Sequence, residues 1–402
     1  MAAYTPEKIP VTILTGFLGS GKTTLLNHIL NDQTHGKRLA IIKNEFGDVG
    51  IDERILSEKA DEEVIEVMNG CICCTVRGDL VVALKKLHKK VAQFDAIIIE
   101  TTGLADPAPV AQTFFVDDTI KELFELDGII TVCDAKHILL RLDDEKPDGV
   151  ENEAVEQIAF ADRILLNKVD LAKDEAELTD IEARIKKLNP TAQIMRTEQS
   201  VCDPKLLIGI KSFDLSKTLE MDPEFLNVDQ EHEHDPSVSS CSTKFDGFLQ
   251  VQKLERWIST IITTMGANLF RYKGVLNVAG MDKKFVFQGV GMLFNGGFVD
   301  DLWDPGSTRE SCFVFIGRDL DKKALIDGIM SSRCSEVLRF SVGDKVLANV
   351  GSHPKARPDG YTCGHIIKQW DEGNAYRIEL QDDDKTNVWG PVDEDEFVKA
   401  MP

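Results

Sequence analysis

No stretch constrains this chain more than Gly16-Phe17-Leu18-Gly19-Ser20-Gly21-Lys22-Thr23-Thr24. It follows the apolar, β-branched run Val11-Thr12-Ile13-Leu14 and opens onto Leu25-Leu26-Asn27-His28-Ile29-Leu30, an amphipathic helical pattern. Strand, G-x-x-x-x-G-K-T loop and helix in that order predict a phosphate-binding loop. Gly16, Gly19 and Gly21 let backbone N–H groups curl around a β-phosphate, and the helix N-terminus adds partial positive charge. Lys22 then reaches the β- and γ-phosphates and the Thr23 hydroxyl ligates Mg²⁺, with Ser20 and Thr24 completing the cradle.

What carries those phosphates is set further along the chain. Phe94-Asp95-Ala96-Ile97-Ile98-Ile99-Glu100 is a continuous apolar strand ending in a carboxylate, followed by Thr101-Thr102-Gly103. In P-loop proteins an acid at this place contacts Mg²⁺ through water, and the nearby glycine N–H faces the γ-phosphate. Lys22, Thr23, Glu100 and Gly103 are therefore the expected catalytic set. Ile164-Leu165-Leu166 leads into Asn167-Lys168-Val169-Asp170, an N-K-x-D tetrapeptide at a strand end. Its aspartate accepts both the ring N–H and the exocyclic amine of guanine, and adenine presents the opposite pattern. Such a site rejects the wrong base by roughly 10⁴-fold, because a mismatch strands its polar groups. The expected nucleotide is GTP. Strands alternate with helices over 9–213, which predicts a doubly wound, mostly parallel α/β domain with the nucleotide at the strands' carboxyl ends.

A second chemistry sits between these motifs. The short strand Val64-Ile65-Glu66-Val67 runs into Asn69-Gly70-Cys71-Ile72-Cys73-Cys74-Thr75. Three cysteines in four residues offer soft thiolates suited to Zn²⁺ or another thiophilic ion, and three ligands leave a tetrahedral site open for transfer. A redox-active pair or inert buried thiols are the competing readings. The loop Asn44-Glu45-Phe46-Gly47-Asp48 follows another strand and puts Glu45 and Asp48 forward as further metal or Mg²⁺ ligands. Cys133 and Cys312 lie in apolar strands and are expected in the core.

The chain's 402 residues exceed one ordinary core. An acidic tract over 214–243 holds Glu231-His232-Glu233-His234-Asp235, where His232 and His234 are candidate metal collectors or plain solvated linker. Residues 244–334 predict an α+β domain, one antiparallel sheet with helices on one face. Four short strands separated by turn residues over 340–402 suggest a small SH3- or Tudor-type barrel able to bind a protein partner. The net charge of −22 argues against nucleic acid or an anionic membrane as partner. With nine cysteines, no run of 18 apolar residues and no signal-like start, the expected setting is the cytosol, with thiols rather than disulfides.

In order, the phosphate loop, Asn44-Glu45-Phe46-Gly47, Cys71-Ile72-Cys73-Cys74, Glu100-x-x-Gly103 and Asn167-Lys168-x-Asp170 resemble the CobW-type P-loop GTPases, a family of metallochaperones and metal-insertion factors. The resemblance covers roughly residues 9–334 and includes Phe270-Arg271-Tyr272-Lys273-Gly274 and Phe315-Ile316-Gly317 of the second domain. It implies that GTP orders the loops so that Cys71, Cys73 and Cys74 take a divalent metal, most often zinc, which hydrolysis releases to a client metalloprotein. Cobalt or nickel insertion, including cobalamin-related use, is the alternative within the same chemistry. A P-loop kinase and a non-catalytic nucleotide- and metal-binding adaptor are the other classes. The chain departs from the family's pattern in three ways. The histidine-rich linker is reduced to His232 and His234, and the barrel-like tail is an addition. The cysteine-bearing N-terminal peptide by which eukaryotic zinc-delivering members grip a methionine aminopeptidase is missing, which points away from that client.

Overall fold

The computed structural model describes residues 8–43, 64–66, 76–89, 94–103, 105–144, 146, 151–214, 237–304, 306, 308–351, 359–382 and 384–401. Its first layer is a sheet of seven parallel strands: β1 (Ile9–Thr15), β2 (Leu39–Lys43), β3 (Val64–Glu66), β4 (Ala96–Glu100), β5 (Phe124–Asp134), β6 (Arg163–Asn167) and β7 (Gln193–Thr197). Their spatial order is β3-β2-β4-β1-β5-β6-β7, and every pair is parallel. β2 and β4 are buried at every position because helices cover both faces, which explains their unbroken apolar sequences.

One face carries α1 (Lys22–Asn31), whose Leu25, Leu26 and Ile29 pack on Leu14, Ile41, Ile98 and Leu165. The other carries α2 (Val76–His88), α3 (Ala108–Val116), α4 (Asp118–Leu123), α5 (Ile138–Leu142), α6 (Glu153–Phe160) and α7 (Glu175–Leu188). Asn152 caps α6 by accepting from Ala154 and Val155 N–H, and Asp174 caps α7 through Glu177 N–H. β1 lies between β4 and β5, so its carboxyl end opens at the point where the strand order reverses, where open α/β sheets bind ligands.

The second layer is an antiparallel sheet ordered β12-β11-β10-β13-β8, built from β8 (Val238–Asp246), β10 (Leu269–Leu276), β11 (Lys283–Val290), β12 (Leu293–Leu302) and β13 (Glu310–Arg318). β9 (Phe248–Leu249) pairs separately with β14 (Arg333–Cys334). One face of the large sheet packs Tyr272, Phe287, Phe313 and Phe315 against α8 (Val251–Met265) and α9 (Lys322–Ser331), so the expected α+β arrangement holds. Two strands carry no clear mark in the sequence: β8 begins at Val238, inside the tract read as acidic linker, and β12 spans Leu293–Leu302. Both are edge strands with much exposed surface, so neither shows the apolar run that marks a buried strand. Cys133 is buried as expected, whereas Cys312 is only half-buried.

The opposite face of this sheet closes on the first domain. Phe270, Val290, Val314 and Ile316 join the core cluster of α3, α6 and α7, with the rings of Phe160 and Phe270 5.1 Å apart. At one end of the seam Arg271 is buried against Asp162 at 2.6 Å, its guanidinium 4.0 Å above the Phe213 ring. Lys273 lies 3.6 Å from the same carboxylate, and burial pushes its amine down to about 8. Breaking such a buried pair at one partner costs about 3–5 kcal/mol. The Arg-x-Lys of the second domain is therefore a fastener between domains.

The tail forms a five-stranded antiparallel sheet ordered β18-β17-β16-β15-β19, from β15 (Lys345–Asn349), β16 (Tyr361–Asp371), β17 (Asn374–Leu380), β18 (Asn387–Gly390) and β19 (Val398–Ala400). The expected barrel is not closed: among the described residues no ladder joins β18 to β19. The sheet nevertheless curls, since a Cβ on Gly390 would meet Val398 Cγ2 at 2.6 Å. The sequence-based count of four strands missed β19, a three-residue strand. The tail rests on the second domain through Gln250 Nε2 to Pro391 O (2.6 Å) and Gln252 Nε2 to Asn374 Oδ1 (2.7 Å).

Candidate nucleotide site

β1 delivers the glycine-rich loop to the carboxyl edge of the sheet, and the loop closes there because three glycines adopt positive φ: Gly16 at 137°, Gly19 at 77° and Gly21 at 113°. Gly21 caps α1, and a Cβ there would fall 2.4 Å from Asn167 Nδ2, so a side chain is excluded by space as well as by backbone. The N–H groups of Gly19, Gly21, Lys22, Thr23 and Thr24 have no backbone partner among the described residues, which leaves an array of donors at a helix N-terminus. The Ser20 hydroxyl is buried there without a hydrogen-bond partner. Unmatched donors, an orphaned hydroxyl and a cradle with no room for a Cβ fit a bound polyphosphate.

The Lys22 ammonium is folded over this cradle, donating to Gly16 O at 2.6 Å and Phe17 O at 3.1 Å. Burial lowers its pKa, with the Glu100 carboxylate opposing the shift. A cation held in poor solvation gains more from an arriving phosphate than an exposed one would. Thr23 Oγ1 donates to Glu100 Oε1 at 3.2 Å, so hydroxyl and carboxylate are together although they are far apart in sequence. A hydroxyl and a carboxylate side by side are hard oxygen donors of the kind Mg²⁺ takes. Thr24 is exposed on the outer side of α1. Gly103 approaches the loop so closely that a Cβ would lie 2.5 Å from Leu18 N.

The turn that begins at Asn167 is tied directly to this loop. Asn167 is buried and its amide donates to Ser20 O and to Ser200 Oγ, both at 2.9 Å. Its carbonyl accepts from Ser200 N–H at 2.8 Å and Thr197 Oγ1 at 3.2 Å, and Ser200 Oγ in turn donates to Gly21 O at 3.0 Å. Lys168, at φ 62°, donates to Gly19 O at 2.7 Å and to Asp134 Oδ2 at 2.6 Å. Burial alone would raise the Asp134 pKa, but hydrogen bonds from Lys168 and His137 outweigh it and hold the carboxyl low. Asp170 is exposed, and its carboxylate has no hydrogen bond or ion pair among the described residues. Thr197, Ser200 and Asp134 carry no motif, and sequence reasoning missed all three. Beside the loop lies a cavity of about 250 Å³ lined by Phe17, Gly19, Asp134, His137, Arg141 and Lys168, among others.

Cys71, Cys73 and Cys74, together with Glu45, Asp48, His232 and His234, lie outside the described residues. Among the described residues no group of three or more His, Cys, Asp or Glu side chains is disposed to hold a metal ion. Burial pushes the thiols of Cys202, Cys241 and Cys334 up to about 11 and that of Cys133 to about 12, away from the thiolate form that metals need. No helix among the described residues is long and apolar enough to cross a membrane.

Parallel sheet, phosphate loop and guanine-type turn define a P-loop nucleotide-binding protein of the GTPase class. Residues 10–196 match the family described as CobW/HypB/UreG, nucleotide-binding domain, and residues 238–332 match the cobalamin synthesis protein cobW C-terminal domain. The zinc chaperone YjiA of Escherichia coli is 35% identical over 321 residues, 79% of this chain and 96% of that protein. The zinc chaperone CobW of Pseudomonas aeruginosa is 31% identical over 82% of this chain and 92% of its own length. The zinc-regulated GTPase metalloprotein activator 1 of Schizosaccharomyces pombe is 44% identical, over 54% of this chain and 50% of its own. The crystal structure of Zn(II)-bound YjiA from E. coli superposes with a TM-score of 0.65 at 30% identity, covering 82% of this chain and all of that one. The chain belongs to the CobW family of P-loop GTPases.

Proposed function

We propose that this protein is a GTP-hydrolysing metallochaperone that takes up a divalent metal, zinc first, on Cys71, Cys73 and Cys74 and hands it to a client metalloprotein. The observation that carries the nucleotide half is that one buried side chain, Asn167, binds the phosphate loop at Ser20 O and the loop after β7 at Ser200 N–H, at the head of the tetrapeptide that bears Asp170. Phosphate and base are thus gripped by one connected unit. In this reading Asp170 accepts from guanine, Lys168 spans the loop at Gly19, and Lys22 exchanges its loop carbonyls for the β- and γ-phosphates. Gly16, Gly19, Ser20, Gly21 and Thr24 line the phosphates, and Gly103 offers its N–H to the γ-phosphate. Thr23 and Glu100 would hold Mg²⁺, directly and through water, and when bound that ion neutralises charge developing on the phosphates. The metal half rests on the C-x-C-C chemistry and on relatives named as zinc chaperones. Glu45, Asp48, His232 and His234 rank behind the cysteines as ligands.

We further divide the chain into a GTPase domain over 9–213, an acidic linker, a CobW C-terminal-like domain over 244–334 and an SH3- or Tudor-like tail over 340–402 that recruits a protein partner. The curl of the tail sheet and its small separate core around Ile366, Tyr376 and Ile378 support that assignment.

The deciding experiment is GTP turnover by the wild type and by Lys22→Ala and Thr23→Ala. Both variants should fold and lose hydrolysis at least about 100-fold, as expected when an electrostatic stabiliser of the transition state is removed. Wild-type turnover in either variant would contradict the assignment.

A further inference from the structure

We propose that Gln157 is a positioning residue for GTP hydrolysis, and that the C-terminal domain sets its pose through the contact of Arg318 with the adjacent Glu156. The proposal rests on the reading of Gly103 as the γ-phosphate partner and extends it to the far side of α6.

Gln157 is 1% exposed. Its Nε2 donates to Gly103 O at 3.3 Å and to Ala105 O at 3.2 Å, and its own backbone carbonyl accepts from Thr131 Oγ1 at 2.6 Å. Gly103 is therefore held from two sides, by the loop at Leu18 and by this carboxamide. A glycine has the widest conformational range of any residue, so its N–H is aimed only if its neighbours aim it. Gln157 supplies that restraint without touching the phosphate loop's donors.

The residue before it faces the other domain. Glu156, with its side chain 4% exposed, accepts from Arg318 Nη2 at 3.2 Å, and Arg318 Nη1 pairs with Glu151. Arg318 ends β13, and its guanidinium lies 5.5 Å from the Phe270 ring of β10. Asp106, just ahead of α3, completes the group and accepts from Ala108 N–H at the start of that helix at 2.8 Å. Three carboxyls thus face one guanidinium at the seam. Burial, and then the hydrogen bond with Glu151, push the Glu156 carboxyl up to about 9, and burial pushes Asp106 up to about 6. Glu156 accordingly holds a proton that it shares with Glu151. Successive side chains of one helix therefore touch the hydrolytic segment and the C-terminal sheet. A shift of either is felt by the other through α6, which is a contiguous physical coupling of the kind that modulates activity by about 2- to 30-fold.

The test uses the full chain. All four tryptophans, Trp257, Trp303, Trp370 and Trp389, lie outside the nucleotide-binding domain, so their emission reports on the C-terminal part alone. Adding a non-hydrolysable GTP analogue to wild type should change that emission. Arg318→Met should still bind the analogue, lose the emission change and lower kcat about 2- to 30-fold with KM for GTP little changed. Gln157→Leu should do the same, more strongly in kcat. Glu156→Gln should behave as wild type in both, because its amide still donates to Glu151 and accepts from Arg318. A merely structural role would lower the melting temperature of Arg318→Met and leave kcat and emission change intact, and that result overturns the inference. So does an analogue that binds wild type without altering the emission. Absence of GTP turnover in wild type, with the emission change present and lost in Arg318→Met, would sink the hydrolytic reading and leave the coupling standing.

Discussion

Asn167 makes four hydrogen bonds from one carboxamide, which uses its whole donor and acceptor capacity inside the protein. In the proposed reading it therefore holds the site's shape and leaves the base to Asp170, three residues on, whose carboxylate is exposed and unpaired among the described residues. Asp170→Asn should move preference from GTP toward xanthosine triphosphate, because the amide offers a donor where guanine needs an acceptor. Competition binding of the two nucleotides to wild type and variant checks this, and an unchanged preference would contradict the assignment. The place of Asn167, Lys168 and Asp170 at the carboxyl end of β6 was legible because an apolar strand runs directly into the tetrapeptide. Ser200 was not legible. It reaches Asn167 and Gly21 only because Gln199 and Ser200 take left-handed backbone at φ 50° and 58°, a conformation no composition signals. Asp134 was hidden likewise, since its value lies in the Lys168 that another strand brings to it.

Among the elements, α6 has the most to do relative to its eight residues. It packs Val155, Ile158 and Phe160 into the inter-domain core, and its Glu156 and Gln157 are buried too. A buried glutamate that keeps its proton has a definite thermodynamic signature. The ordinary value is 4.5 and the folded value about 9, so between these the folded state holds a proton that the unfolded chain has lost. Stability from this group is full below pH 4.5, falls as pH rises to about 9, and is constant above it. Arg318, Glu151 and Asp106 are the charges that face it. Glu156→Gln removes the slope while keeping the hydrogen bonds. Its melting temperature should therefore gain on wild type as pH rises from 6 to 8.5, and a gap that does not change with pH would contradict the protonated state. Elements buried on both faces, such as β2 and β4, were readable from sequence because burial writes itself as an apolar run. The edges β8 and β12 and the short β19 were not, because an edge strand's sequence is half solvent's choice.

Across the whole molecule, the sheet of the second domain is a shared wall, with α8 and α9 on one side and α3 and α6 on the other. Arg271 with Asp162 and Arg318 with Glu156 fasten that wall side by side on the neighbouring strands β10 and β13, where Arg271 pairs with Ile316, two residues before Arg318. A nucleotide-driven change at Gly103 thus has a route into the C-terminal half. β3, which the cysteine cluster follows in sequence, pairs parallel with β2, so both strands end at the same carboxyl edge of the sheet as β1. Thiolates must shed protons to bind zinc, so any GTP-driven gathering of Cys71, Cys73 and Cys74 raises zinc affinity. Linkage makes the effect mutual: zinc must tighten GTP by the same factor, typically about 5- to 150-fold. The most direct test is zinc affinity, measured by chelator competition, with GDP and with a non-hydrolysable GTP analogue bound. A chaperone that loads in one nucleotide state and releases in the other predicts tighter zinc with the analogue, and loss of that difference in Cys73→Ser while GTP still binds. Equal zinc affinity in the two nucleotide states would contradict it.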